Sequence, residues 1–525
     1  MKKKLIFLLG LFLAFNSFAD SYQIVDVDFN VTGITRPSVL KTAVPLNYSR
    51  IFESEEEFAK YIEDYKQRLD NTRCFEEYNV DYTISIPDEN GLSYVTLLVT
   101  TKDAKHFLGL PYPKFSPSGD NGYLFNVKLK LKDSNFLGSL KEMGTDINLE
   151  IDTNDDPVSF KLGTTVYFDT PFNIGNVKCN WTNNHTVSYT FGQDTPEWNL
   201  KTGLEFEYPF ELFGINLSFY QSFVRDLDYR SKTIEGHTFT NDDTYFIEDV
   251  NLSTPIVIQD IIGWGKIYYT PYLNFVYNWD FDGISIYNTD LIGPAVTVGQ
   301  KVSTSRINWY NNFRNGFDLS MTQSFKYNFG QDNIVPGINI SFVAHKAFKY
   351  VGFSTNINAF AYLNGNSKFG DKLRGVRDEQ YFSSDLTKGG KDWATTYACE
   401  SPGGIVFNFD LPIHIVSIYW DQLPGFKKIP HIGIFNLELQ LSPFIDIGLY
   451  HNNYTERTLS LKDGFYCGGL EVLVFPLKWK GFVVRASLGI DLSKKMPVLK
   501  DKVDQEWRSK TVSSTEISIG LGYQY

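Results

Sequence analysis

Thr515-Glu516-Ile517-Ser518-Ile519-Gly520-Leu521-Gly522-Tyr523-Gln524-Tyr525 is the last stretch of the chain. Ile517, Ile519, Leu521, Tyr523 and Tyr525 alternate with Glu516, Ser518, Gly520, Gly522 and Gln524. A strand turns successive side chains to opposite faces, so this segment has one greasy face and one polar face. Two settings suit such a strand. One is the wall of a membrane barrel, with lipid outside and a polar lumen within; the other is the edge of a soluble sandwich.

The same two-residue period runs back through the chain as far as Phe107. Phe125, Val127, Leu129 and Leu131 alternate with Asn126, Lys128, Lys130 and Lys132. Ile405, Phe407, Phe409, Leu411, Ile413 and Ile415 alternate with Val406, Asn408, Asp410, Pro412 and His414, and Val484 to Ser493 repeats the pattern. Polar clusters such as Asp152-Thr153-Asn154-Asp155-Asp156 read as turns between runs. In lipid every backbone polar group needs an internal partner, which strands achieve only in a closed barrel. At ~10 residues per tilted strand plus connections, the length suits roughly 14 to 18 strands, and an even count of about sixteen is expected. Gly122 to Lys132 reads as the first strand of that barrel. The stretch from Thr170 to Tyr350 is strand-like and rich in aromatics, but its hairpins are not individually assignable.

Composition supports a barrel and excludes other classes. The chain holds 43 Phe, 32 Tyr and 9 Trp, 16% aromatic in all, the excess that girdles at two lipid–water boundaries require. At the other end, Lys2, Lys3 and Lys4 precede an apolar run from Leu5 to Phe15 and the small residues Ser17 and Ala19. This predicts a secretory signal peptide over residues 1–19, cut after Ala19, and too short to serve as a membrane anchor. Its removal makes a chain of formal charge −12 still more acidic, which argues against nucleic acid as a partner. Cys74, Cys179, Cys399 and Cys467 are widely spaced and lack metal-site spacing, and no metal or other cofactor is implied. Without a Gly-x-Ser-x-Gly or His-Glu-x-x-His motif, no catalytic residue is nominated and enzymatic activity is not expected.

Residues 20–105 read differently. Gln23 to Gly33 suits a strand, and Thr35-Arg36-Pro37 opens a short helix through Val44 with proline in its first turn. Ser54-Glu55-Glu56-Glu57 is a capping box, followed by the apolar stripe Phe58, Ile62, Tyr65 and Leu69 of a second helix. Tyr78 to Ile86 and Leu92 to Thr101 are strands joined by Pro87-Asp88-Glu89-Asn90-Gly91. The sequence therefore predicts an α+β module in the order strand, helix, helix, strand, strand, followed by an all-β barrel over residues 106–525.

Several of these residues carry a family resemblance. The terminal strand resembles the one that ends bacterial outer-membrane barrels. The N-terminal module resembles a POTRA domain, with Gly33 in Val31-Thr32-Gly33-Ile34 at the end of the first strand and Phe75 after the second helix. Within the barrel, Leu373-Arg374-Gly375-Val376 is similar to the hydrophobic-Arg-Gly-aromatic loop motif of the BamA/TamA superfamily, with Val376 replacing the aromatic. Phe444-Ile445-Asp446-Ile447-Gly448 matches the Phe-x-Asp-x-Gly strand, and Asp410 stands where the family often has Glu. Asn135-Phe136-Leu137-Gly138 resembles the family's turn after an early barrel strand.

Parity along these strands sends Asp410, Phe444, Asp446 and Gly448 inward. The resulting expectation is a lock in which Arg374, on a loop turned by Gly375, descends into the lumen and pairs with Asp446, with Asp410 alongside. The resemblance implies a protein of the bacterial outer membrane whose N-terminal module lies in the periplasm. It implies assistance to unfolded outer-membrane or secreted polypeptides, with periplasmic accessory proteins as possible partners. Insertion would occur at a seam between the first and last strands, marked by Gly520, Gly522 and Tyr525. Gly520 and Gly522 suit a weak, bendable last strand and equally suit a crowded lumen. A passive channel or surface-exposed structural barrel that keeps the motifs without insertase activity is the alternative.

Overall fold

The computed structural model describes residues 21–118, 122–153, 158–210, 212–227, 231–234, 237–240, 243–261, 265–279, 294–375, 380–383, 393–396, 400–452, 455–503 and 515–522. The expected signal peptide over 1–19, Val376, Cys399 and Tyr525 lie outside the described residues. The chain forms two units, one of Met1–His106 with Leu137–Leu140 and one of Phe107–Phe136 with Lys141–Tyr525.

In the first unit the order is β1 (Ser21–Thr32), α1 (Pro37–Ala43), β2 (Ile51–Phe52), α2 (Glu55–Asn71), β3 (Phe75–Ile84) and β4 (Leu92–Asp103). The sheet runs β2-β1-β4-β3, with β1 parallel to β4 and the other pairs antiparallel. The two-residue β2 adds a strand to the sequence reading, being too short to show a period. Pro37 sits in the first turn of α1, where its missing N–H is no loss. Ser54 caps α2 by accepting the Glu57 N–H at 3.2 Å, and Glu57 accepts the Glu53 N–H and an Arg50 guanidinium N–H. The core comprises Ile24, Leu40, Phe52, Phe58, Tyr65, Leu69, Val95, Leu97 and Val99. After β1, Gly33 lies at φ +147 against the Asp103 carboxylate, which accepts both the Ile34 and Thr35 N–H groups. A side chain at Gly33 would collide with it.

The second unit is a closed antiparallel barrel of eighteen strands. They are β5 (Phe107–Ser118), β6 (Gly122–Asp133), β7 (Met143–Asp152), β8 (Ser159–Ile174), β9 (Val177–Thr190), β10 (Glu197–Pro209), β11 (Gly214–Arg225) and β12 (Thr244–Ser253 continued by Ile256–Ile261). The wall goes on through β13 (Gly265–Trp279), β14 (Ala295–Tyr310), β15 (Phe313–Asn328), β16 (Asn333–Ala347) and β17 (Gly352–Tyr362). It is completed by β18 (Gly403–Asp410 continued by Ile413–Ile418), β19 (Leu437–Asn452), β20 (Phe465–Pro476), β21 (Val484–Asp491) and β22 (Thr515–Leu521). Pro255 and Pro412 mark the breaks in β12 and β18, where a residue without an N–H cannot continue the ladder.

The barrel differs from the sequence expectation in two respects. The count is eighteen, not sixteen. Some connections are shorter than assumed: Gly175-Asn176 joins β8 to β9, and Asn311-Asn312, both left-handed, joins β14 to β15. The first strand is also not Gly122–Lys132. An earlier strand, β5, pairs with β6 on one side and with β22 on the other. Its three prolines, Pro111, Pro113 and Pro117, give it the composition of a loop.

The alternation is realised in burial. On β6, Phe125, Val127 and Leu129 are exposed outward, whereas Asn126, Lys128 and Lys130 are part-buried inward. On β19, Ile445 is half-exposed, with Phe444 and Asp446 buried on either side of it. No described helix is long and apolar enough to cross a membrane. The strands supply the apolar outer surface instead.

Candidate functional site

The inner faces of β18 to β22 bring one row of residues into register. Asp410 lies opposite Phe444, Phe444 opposite Gly469, Gly469 opposite Gly489, and Gly489 opposite Glu516. One step along, Asn408 lies opposite Asp446 and Asp446 opposite Cys467. This wall receives a loop that leaves β17 and passes through a 3₁₀ turn at Gly370–Lys372.

Arg374 is the centre of the site and is only 4% exposed. Its Nε donates to Asp446 Oδ2 at 2.9 Å and its Nη2 to Asp446 Oδ1 at 2.6 Å. Its own backbone N–H donates to Asp446 Oδ2 as well, at 2.9 Å. Nη1 donates to Asp410 Oδ1 at 2.6 Å and stands 3.3 Å from Glu471 Oε1. The guanidinium lies over the Phe444 ring, 3.7 Å from its centroid. A planar fork with donors on two edges meets two carboxylates while its face rests on an aromatic, a combination that an ammonium cannot reproduce.

Three carboxylates around one guanidinium leave an excess of negative charge, and Arg485 offsets part of it from 3.5 Å to Glu471. Glu471 was not singled out from the sequence, and the parity of Arg485 marks it only as one of several charges facing the lumen. Glu471 carried a signal, since it shares the inward parity of Cys467 and Leu473 on β20.

Apolar packing seats the loop above this cluster. Phe369 and Leu373 are buried among Phe360, Val406, Tyr450, Phe465 and Cys467, with the Phe369 ring tilted against Tyr450 at 4.8 Å between centroids. Leu373 also rests where a Cβ on Gly448 would come within 3.0 Å of it. Asn408 donates to the Lys372 carbonyl at 2.7 Å. From Lys372 to Arg374 the loop thus keeps its backbone partnered while inside the barrel.

Glycines set how deep it sits. Gly375 has φ +87, and a Cβ there would lie 2.6 Å from the Ile490 nitrogen. Facing it is Gly489, whose own added Cβ would lie 2.7 Å from the Gly375 nitrogen. The two backbones touch because neither residue has a side chain. Gly469 makes a similar recess for the Phe444 ring. Beyond the turn, the Gly375 N–H donates to Glu516 Oε2 on β22 at 3.2 Å.

The structure therefore brings together Arg374, Gly375, Asp410, Phe444, Asp446 and Gly448. Gly520 and Gly522 lie elsewhere, on and just after β22, where no atom of the described residues comes within 4 Å of an added Cβ. Gly522 has φ +97. Among the described residues no group of side chains is arranged to hold a metal ion.

These features define a class, a membrane-spanning antiparallel β-barrel with a loop folded into its bore and tied to the wall through a buried arginine. No family model and no curated protein matches the chain. Among solved structures it is similar to CdiB from Acinetobacter baumannii, at 11% identity and a TM-score of 0.43, over 96% of this chain and 74% of that one. It is also similar to BamA from Haemophilus ducreyi lacking POTRA domains 1–3, at 10% identity and a TM-score of 0.36, over 95% of this chain and 85% of that one. A bacterial polysaccharide outer membrane secretin aligns over 70% of this chain and 91% of its own, at 9% identity and a TM-score of 0.32. Likenesses at these scores carry no functional inference.

Proposed function

We propose that this chain is an outer-membrane assembly or translocation factor, which receives unfolded polypeptides and passes them into or across the membrane at the seam between β5 and β22. The observation that carries this reading is the seam itself. Among the described residues every other pair of adjacent wall strands is joined along a run of register partners, whereas β22 meets β5 only at Ile517↔Phe115 and Ser518↔Lys114. A barrel in lipid gains from pairing every edge, so a wall continuous except at one junction has its weakest point there.

In this reading the N-terminal unit acts as a POTRA-type recruiting module on the periplasmic side. Its outer strand β3 offers an unpaired edge to an extended client by β-augmentation. The Arg374 cluster holds the loop in the bore and keeps that part of the wall rigid beside the opening. No step uses a nucleotide or a redox cofactor; client folding supplies the driving force. The bilayer and the client polypeptide are the partners, with periplasmic accessory proteins possible at the module.

Depletion in cells tests the function. The expected result is loss of other outer-membrane proteins; unchanged levels and folding would favour the passive-channel alternative. A disulfide between Phe115→Cys and Ile517→Cys tests the route. Client assembly should stop when the seam is locked and resume on reduction.

A further inference from the structure

The weak seam has a chemical asymmetry. In an antiparallel ladder, residues of one parity turn their N–H and C=O toward one neighbour, and those of the other parity toward the opposite neighbour. β5 pairs with β6 without a register break, from Phe107↔Asp133 to Ser118↔Gly122. Proline has no N–H to give, so the ladder to β6 is made by the even-numbered residues. Of the odd-numbered residues, Pro111, Pro113, Phe115 and Pro117 then lie along Thr515–Leu521. Three of these four positions lack a donor. Phe115, which retains its N–H, is the one opposite Ile517.

Continuing the register from Ile517↔Phe115 sets Thr515 opposite Pro117, Ile519 opposite Pro113, and Leu521 opposite Pro111. At each of these positions β5 offers a carbonyl but no N–H. β22 has no proline from Thr515 to Leu521, so its edge keeps a full set of donors and acceptors. The two sides of the seam are therefore unequal. A new strand laid on β22 completes every bond, whereas one laid on β5 over the same span meets four carbonyls but a single N–H, that of Phe115. Proline on an edge is also a device by which natural sheets refuse added strands.

We infer that an incoming strand is received on the Thr515–Leu521 edge, and that the proline-bearing strand Phe107–Ser118 is the partner it displaces. This rests on the insertion reading and adds to it which edge binds and what it binds. The ligand is an extended segment with period-two apolar alternation and no proline at positions facing β22, which is the chemistry of an unfolded barrel strand.

The test uses the full chain in lipid nanodiscs, with the photo-crosslinker benzoylphenylalanine placed at Ile517 or at Phe115. The probe is a synthetic strand peptide of alternating valine and threonine. Crosslinking about fivefold stronger at Ile517 is expected, the ratio that one net hydrogen bond provides. Equal yields, or more at Phe115, overturn the inference. A second measurement needs no client: hydrogen exchange at the Ile517 and Ile519 amides in the Pro113→Thr/Pro117→Thr variant. Restored donors should slow exchange about tenfold, and unchanged exchange overturns the proline account. If the exchange slows but neither position crosslinks, the insertion reading fails, and the receiving edge with it, while the donor-poor seam stands.

Discussion

Arg374 grips Asp446 side-on, with Nε on one carboxylate oxygen at 2.9 Å and Nη2 on the other at 2.6 Å. Asp446 is fully buried, so this carboxylate has no recourse to solvent. Removing Arg374 leaves both Asp446 and Asp410 in the bore without their cation, whereas removing Asp446 leaves the guanidinium still paired with Asp410. Arg374→Ala is expected to cost about 3–5 kcal/mol, and a combined Arg374→Met/Asp446→Leu/Asp410→Leu replacement much less. Unfolding in detergent measures the difference. Equal losses for the single and the triple variant would refute the buried-pair account.

The backbone contact between Gly375 and Gly489 gives a second outcome. Gly489→Val introduces a branched side chain where the first carbon alone lies 2.7 Å from the Gly375 nitrogen. Backbone cannot yield as a flexible side chain can, so the loop must move out. The barrel should still form, at a cost of about 1–3 kcal/mol, with the loop newly open to protease near Arg374. Cleavage unchanged from the parent chain would show that the glycine pair does not set the depth of the loop.

How much of this was legible depended on period and on chemistry that a strand shares with nothing else. Parity along Leu441 to Leu449 was enough to place Asp446 on the inner face, because every second residue is aliphatic and cannot face a polar lumen. Glu471 carried the same parity but no neighbouring motif drew attention to it. Gly489 sits in an alternating run like any other small residue, and only the loop packed against it gives it a role. The strand count was hidden for a different reason. β5 holds three prolines, which signal a loop wherever both strand edges need donors; at a barrel's seam one edge does not. The two-residue β2 was invisible because a period needs more than one repeat.

The N-terminal unit predicts an acid-sensitive helix start. The Glu57 carboxyl is held below its ordinary value of 4.5, first by the hydrogen bond from Arg50 and then by the Glu53 N–H. A group whose folded pKa is depressed contributes stability in full above its unfolded value and loses it as pH falls through the folded one. Exchange protection at the start of α2 should therefore weaken as pH drops below about 4.5, and Glu57→Gln should flatten that dependence. Ser54→Ala removes the other half of the cap and should cost ~1 kcal/mol at any pH. A steep acid dependence surviving in Glu57→Gln would assign it to another group.

Glu516 joins the two halves of the site, since it lies on the seam strand and accepts the Gly375 N–H at 3.2 Å. A loop seated by Arg374 thereby restrains β22 at the residue before Ile517, the position that pairs with Phe115. Glu516→Gln keeps an oxygen that can accept this bond, whereas Glu516→Val removes it. A hydrogen bond to a charged group contributes roughly 1.5–3 kcal/mol when well formed, and the longer distance here places this one at the lower end. Glu516→Val is therefore expected to raise hydrogen exchange at the Ile517 amide by about tenfold, with Glu516→Gln intermediate. In Arg374→Ala the loop is already loosened, so adding Glu516→Val should have little further effect. Fully additive effects on exchange would mean that loop and seam are independent, and that the arginine lock plays no part in holding the last strand.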